Sequence, residues 1–292
     1  MAQIKSISKE ATEMVVAPPE PKETSGKDGT GLDMTSRAAR NLLRAGKADR
    51  TRGSITNETV IGEDERVRIF DTDLLPWRMI CALRLKGATG TAIGSGWLAG
   101  PKTIVTAGHC VFHTGFFGGW VDEVEASAGR NEGEFPFDTV RATRFSILDR
   151  WHSDEDPDFD VGCIHLDKPL GDKTGWFGFA TLPPETIIDH TVNISGYPSD
   201  RGSGRQQYFH ANNILNVGQH RIFYDVDTFG GQSGAPVWIH QKPGDPPKVV
   251  AIHAYGTGGT PFDLGITANS APRITPELFD IIQGWVETDG GG

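Results

Sequence analysis

From about residue 60 onward the chain is a succession of short runs rich in β-branched and aromatic residues, broken by glycine, aspartate and proline. RMICALRL, TIVTAG, DVGCIHL, TVNISGYP, RIFYDVDT, APVWIH and KVVAIHAYG are examples. Runs of this length between turn residues are strands, and none is followed by the long helical pattern that a βαβ unit needs. Glycine fits the same picture: 37 of 292 residues, against a usual share of about 7%, without the three-residue period of collagen. The one clear helix comes last. In ITPELFDIIQGWVE, Thr275 is a candidate N-cap and Pro276 suits the first helical position. Leu278, Phe279, Ile281, Ile282 and Trp285 then form an apolar face. The expectation is an all-β protein with a C-terminal helix.

Charge divides the chain. The net charge is −10, which argues against a nucleic-acid-binding surface. Residues 1–58 carry +2, and residues 59–292 carry −12. Residues 1–34 are polar and rich in Pro, Gly, Lys and Glu, a composition that reads as disordered. Residues 35–48 have the pattern of a short basic amphipathic helix, read as part of a pro-segment. No apolar run is long enough to span a membrane, and the first twenty residues lack the apolar core of a secretory signal. Cys81, Cys110 and Cys163 are too few for a disulfide scaffold or a closed zinc site.

Three motifs carry potential chemistry. TIVTAGHC places His109 after a strand, DFDVGCIHL places Asp160 at the start of one, and DTFGGQSGAPVW places Ser233 in a glycine-flanked turn before a third. A serine hydroxyl is a weak nucleophile. It needs an imidazole to take its proton, a carboxylate to fix the imidazole tautomer, and N–H donors for the oxyanion. The GGQSG turn can bring the N–H groups of Gly231 and Ser233 together, and a side chain at position 231 would hinder that. Alone, each motif has a plain structural reading; order, spacing and context together are stronger. The i, i+4 pair His109 and His113 lacks the HExxH context of a metal helix, so His113 reads as a loop residue.

With these motifs the chain resembles the chymotrypsin-like serine proteases, and among them the glutamyl endopeptidases of the V8 and Bacillus type. TVIGEDER, GPKTIVTAGHC, SAGR, DFDVG, SGYP, DTFGGQSG, the VAIH strand and the RIT-helix ending carry the resemblance. It implies two six-stranded antiparallel β-barrels with the site between them, a C-terminal helix, and a mostly disordered N-terminal pro-segment before the barrels. It also implies His109 as general base, Asp160 as its orienting partner and Ser233 as nucleophile, with Asp158 the nearest competitor for Asp160. A bridge between Cys81 and Cys110 is suggested by many relatives. Bacillus-type relatives place the partner of Cys110 where this chain has Gly94, so the bridge is left open.

Two readings of specificity compete. Asp227 stands six residues before Ser233, where trypsin-like enzymes hold the acid that binds Arg or Lys. The glutamyl reading uses Thr228 and His253, which can donate hydrogen bonds to a buried carboxylate, as Asp227 cannot. It is favoured, with Asp227 turned from the pocket. A catalytically silent binding protein on the same fold is a third alternative, but all three triad members are present. An esterase elbow is not, because APVW reads as a strand.

Domain boundaries follow: 1–58 as pro-segment or disordered tail, and 59–292 as the protease domain. The cut is expected between Glu58 and Thr59, where the composition shifts and where the enzyme's own glutamate preference would allow self-processing. Gln232 precedes the nucleophile, so the ion pair that activates trypsin-like zymogens has no acid here. No cofactor and no metal are called for. The expected partners are protein or peptide substrates, with no nucleic acid and no membrane span, and the enzyme itself is expected to be a monomer. The resemblance implies a secreted or exported enzyme; without a recognisable signal, a cytoplasmic protease is the alternative.

Overall fold

The structure, a computed structural model, describes residues 4–9, 59–242, 244–261 and 264–290. In chain order its strands are β1 (Ser6–Ser8), β2 (Val67–Ile69), β3 (Ile80–Gly87), β4 (Gly90–Leu98), β5 (Thr103–Thr106), β6 (Phe112–His113), β7 (Gly119–Trp120), β8 (Glu123–Ala128) and β9 (Val140–Ala142). There follow β10 (Arg144–Leu148), β11 (Gly162–His165), β12 (Gly178–Phe179), β13 (Thr191–Gly196), β14 (Gln207–Val217), β15 (Arg221–Tyr224), β16 (Pro236–Ile239), β17 (Lys248–Ile252) and β18 (Asn269–Pro272).

Sixteen of them build two curled sheets, and β6 and β7 form a separate two-stranded hairpin. The first runs β1-β10-β11-β5-β4-β3-β8-β9 and the second β12-β17-β16-β13-β14-β15-β18, with β2 on β14. Each is thus six central strands, as expected, with two short additions: β1 and β9 at the rims of the first, β12 and β2 on the second. Pairing is antiparallel except for β12 beside β17, which is parallel. Antiparallel bridges Ala251–Arg273 and Tyr255–Ser270 draw β17 and its continuation onto β18 and curl the second sheet on itself.

Binary patterning explains the packing. In β3, Leu83 and Leu85 are buried while Arg84 and Lys86 face out, as an alternating strand over one core requires. The first sheet encloses residues such as Leu83, Ile104, Val124 and Ile147. The second encloses Val192, Ile194, Val237 and Val250. A third cluster joins the two sheets through aromatic rings: Trp77 meets Trp238 edge-on at 6.1 Å, and Phe177 meets Trp97 at 6.2 Å. The helix Pro276–Gly290 closes this cluster with Leu278, Phe279, Ile281, Ile282 and Trp285, all buried. Thr275 caps it, its Oγ1 accepting the Leu278 N–H at 3.3 Å. Among the described residues no helix is long and apolar enough to cross a membrane.

One expectation needs correction at residues 4–9, and one question left open is answered. Residues 1–34 read as disordered, yet Ile4–Lys9 lie against the first sheet and Ser6–Ser8 pair with β10 in the register Ser6–Leu148, Ile7–Ile147, Ser8–Ser146. A window average hides this segment, because two isoleucines among lysines and serines carry little mean hydropathy but suffice for an edge strand. The basic stretch 35–48 falls outside the described residues. The Cys81–Cys110 bridge is not formed: both thiols are free and buried. Cys110 Sγ instead lies 3.0 Å from where a Cβ on Gly94 would sit, so the geometry of a partner at position 94 is kept although the partner is missing.

Candidate active site

His109 belongs to a single helical turn, Gly108–Cys110, directly after β5, and Asp160 precedes β11, the strand paired with β5. The ladder between those strands brings the two residues together. Asp160 is fully buried and holds His109 twice: Oδ1 accepts the His109 backbone N–H at 2.8 Å and Oδ2 lies 2.6 Å from Nδ1. Desolvation disfavours the charged imidazole, but the Asp160 charge outweighs it and raises the His109 pKa well above its ordinary value. Asp158, the competitor for this place, is half-exposed and stands 3.9 Å from Arg221. His113 caps the short Thr114–Phe117 helix by accepting two N–H groups, the loop role expected of it.

Ser233 arrives from the second sheet, just before β16. Ser95 of β4 pins its turn to the first sheet: the Ser95 N–H donates to the Ser233 carbonyl at 2.8 Å and the Ser95 hydroxyl to the Gly231 carbonyl, also at 2.8 Å. The Ser233 carbonyl is also 3.6 Å from Cys110 Sγ, one residue from His109. Gly231 has φ +102° and Gly234 φ +86°; a Cβ on the first would lie 2.7 Å from the Tyr197 carbonyl oxygen, and on the second 2.1 Å from that of Ser95. No other residue fits either place. Gln232 is buried and folds back, its Oε1 accepting the Phe229 N–H at 3.0 Å. It therefore braces the turn that carries Gly231 and Ser233.

The strand carrying His253 is zipped to this turn on both sides. The Gly234 N–H donates to the His253 carbonyl at 2.7 Å and the His253 N–H to the Ala235 carbonyl at 2.9 Å. The His253 ring is buried, and burial with the neighbouring His109 lowers its pKa to about 3, so it is neutral. Tyr224 of β15 places its hydroxyl 2.5 Å from His253 Nδ1. Thr228 is also buried, and its Oγ1 has no hydrogen-bond partner among the described residues.

Asp227 faces elsewhere. Its Oδ1 accepts the Ile61 N–H at 2.7 Å and its Oδ2 the Glu65 N–H at 2.9 Å. It fastens the segment that begins at Thr59. The same segment is held at its head, where the Thr59 carbonyl accepts from Asn269 Nδ2 at 2.6 Å and from the Thr228 N–H at 3.3 Å. At its tail the buried Arg66 bridges Asp64 and Asp200. Thr59 thus lies beside Thr228 and Asn269. Glu58, its partner in the expected cut, lies outside the described residues.

Three contributors escaped the sequence reading. Ser95 sits in a GSGW run that looks like any small-residue strand. Tyr224 lies 29 positions from His253, and nothing local announces the pairing. Tyr255 hydrogen-bonds Asp160, and burial followed by that carboxylate's charge drives its phenol pKa far up. Arg221 lies over its ring at 5.1 Å. Among the described residues two groups of side chains have metal-ligand chemistry, Cys163–His165–Asp289 and Glu65–His210–Asp227, and neither includes His109 or Ser233.

Comparison with known proteins gives a consistent answer. A family model described as Trypsin matches residues 72–270. A glutamyl endopeptidase of Bacillus licheniformis is 34% identical over 247 residues, covering 83% of this chain and 73% of the relative. A Bacillus subtilis protein named extracellular metalloprotease is 31% identical over 229 residues, covering 78% of this chain and 69% of that one. The solved structure of a Glu endopeptidase in complex with MPD superimposes with a TM-score of 0.66 at 24% identity, covering 78% of this chain and 99% of that one. The fold is chymotrypsin-like, and the protein is a serine endopeptidase. The chain belongs to the trypsin family, in the branch of the glutamyl endopeptidases.

Proposed function

We propose that this endopeptidase cuts on the carboxyl side of glutamate, with aspartate a poorer substrate, using Ser233 as nucleophile, His109 as general base and Asp160 as the group that orients it. Ser233 Oγ attacks the scissile carbonyl while its proton passes to His109 Nε2. The N–H groups of Gly231 and Ser233 receive the oxyanion, a contribution of about 3 kcal/mol per donor in comparable sites. Collapse expels the amine, which takes the proton back from His109. Water then enters by the same route and hydrolyses the acyl-enzyme. Asp160 keeps the imidazole proton on Nδ1 and stabilises the ring when it becomes charged.

The observation that carries the glutamate preference is the bonding of Asp227. With both carboxylate oxygens on the Ile61 and Glu65 N–H groups, Asp227 is not available to a lysine or arginine. The polar side chains beside the nucleophile turn are then Thr228 and the neutral His253, both donors. The name of the Bacillus licheniformis relative supports the same reading. The trypsin-like alternative requires Asp227 to leave two good hydrogen bonds.

We further propose that the enzyme is made as a zymogen and that residues 1–58 are removed between Glu58 and Thr59. Thr59 is held next to Thr228, so the new amine would lie where it attracts a glutamate carboxylate. Digestion of a denatured protein with mass mapping of every cut tests the specificity, and N-terminal sequencing of active enzyme tests the processing. Cuts after Arg and Lys would replace this reading with the trypsin-like one. A start at Gly53 would mean an external activator, and full activity with Met1 attached would remove the zymogen.

A further inference from the structure

The edge of β10 is occupied by the chain's own N-terminal strand. Beyond the three-residue ladder, the Lys9 N–H donates to the Phe145 carbonyl at 3.1 Å and the Asp149 N–H to the Lys5 carbonyl at 2.8 Å. Side chains engage on both faces. Ile7 packs on the first sheet's core and Ile4 on the cluster shared with the C-terminal helix. The Trp285 indole N–H donates to Ser6 Oγ at 2.9 Å. Ser8 Oγ lies 2.6 Å from Ser146 Oγ, which lies 2.8 Å from His165 Nε2, and His165 Nδ1 reaches Asp289 at 2.9 Å. This line of polar groups runs from β1 through β10 and β11 into the helix, and Ser146, His165 and Asp289 are all buried.

From these contacts we propose that β10 and the C-terminal helix form a binding site for an extended peptide, that Ile4–Lys9 is its occupant, and that this strand stays bound after the chain is cut before Thr59. The processed enzyme is then a complex of two polypeptides. Strand addition to a sheet edge supplies main-chain hydrogen bonds, and alternate side chains supply the selectivity. Here the selective elements are the seats for Ile4 and Ile7, the Trp285 indole N–H that donates to Ser6 Oγ, and the Ser146 hydroxyl that pairs with Ser8. Losing the strand would strip the Trp285 indole N–H of its Ser6 acceptor and Ser146 of its Ser8 contact, and would leave β10 as an open edge, the kind of rim that sheets are built to avoid. The segment Thr59–Arg66 is separately anchored through Asp227, Asn269 and Asp200, so a cut between Glu58 and Thr59 pulls on neither end.

The proposal takes only the position of the cut from the proposed zymogen, and the experiment supplies the cut independently. In the full chain carrying Ser233→Ala, residues 53–58 are replaced by the recognition sequence of a sequence-specific protease. After cleavage the sample is passed over a sizing column at micromolar concentration without denaturant. The N-terminal fragment is expected to elute with residues 59–292 in a one-to-one ratio, and to be released when Ile7→Asp is added. A fragment found only at low mass overturns the proposal, as does equal retention with Ile7→Asp. Should that variant not fold, hydrogen exchange on the cut parent reads the same point: slow exchange at residues 145–149, unchanged from the uncut chain, supports the bound strand, and its loss overturns it.

Discussion

The phenol of Tyr224 lies 2.5 Å from Nδ1 of His253, and both side chains are fully buried. Because His253 is neutral, it carries one ring proton, and a phenol whose hydroxyl points at Nδ1 leaves that proton on Nε2. The proposed glutamate reading requires this arrangement, with Tyr224 donating and the imidazole a donor on the side away from it. Tyr224→Phe is expected to raise KM for glutamate substrates about tenfold, the worth of one such hydrogen bond. The rate of phosphonylation of Ser233 by a small reagent should stay near the parent value. A tenfold loss in both would mean that Tyr224 supports the nucleophile turn instead.

Ser233→Ala and His109→Ala are each expected to reduce turnover on the order of 10^4-fold or more, with the melting temperature of Ser233→Ala near that of the parent. Folded Ser233→Ala with near-normal turnover would remove the assignment. Ser95→Ala should lower turnover with little change in KM, because its hydroxyl holds the Gly231 carbonyl rather than substrate.

The pH dependence follows from His109. A general base must be neutral, and Asp160 raises this imidazole well above 6.5. The kcat/KM profile is therefore expected to rise on the alkaline side of 6.5 and not below it. The sign for stability is opposite. A folded pKa above the unfolded one contributes stability that is complete below the unfolded value and is lost as pH rises through the folded value. A profile already flat at pH 6 would contradict the raised pKa.

His253 gives the reverse test. Its folded pKa of about 3 lies below the unfolded 6.5. The neutral ring contributes stability above 6.5, and this is lost as pH falls toward 3, by up to about 1.4 kcal/mol per pH unit. Denaturant titrations between pH 6 and pH 4 should show a shallower decline in His253→Gln than in the parent. An equal slope would show that other groups dominate acid unfolding.

The strands, the terminal helix and the places of His109, Asp160 and Ser233 were readable because each leaves a local mark: alternation, a cap, or a glycine-flanked turn beside a strand. The residues that tune the site leave none. Tyr224 and Tyr255 look like ordinary strand aromatics until β15 and β18 bring them to His253 and Asp160. The docked strand at Ile4–Lys9 was missed for a different reason, since it takes its order from the β10 edge rather than from its own composition. The Cys81–Cys110 question turned on register, which places Cys81 opposite Gly96 and leaves Cys110 facing Gly94.

Asp227→Asn tests the last link. An amide can keep one of the two backbone donors but not both, and the loss of a charge-assisted bond should cost about 1–3 kcal/mol in stability. No cleavage after Arg or Lys is expected to emerge, and glutamate cleavage should weaken as the 59–66 segment loosens. Unchanged stability would mean that the segment is held without Asp227.

The double grip of Asp227 on Ile61 and Glu65 also bears on redesign. One carboxylate cannot tether the 59–66 stretch and at the same time wait at the base of a pocket for a guanidinium. Converting this scaffold to basic substrates is therefore a two-step problem, in which the stretch from Thr59 to Arg66 must first be given another mooring before the acid can be turned inward. A library that varies only Thr228 and His253 samples the second step without the first, and its expected yield is enzymes that have lost the parent's cleavage preference without gaining one for arginine.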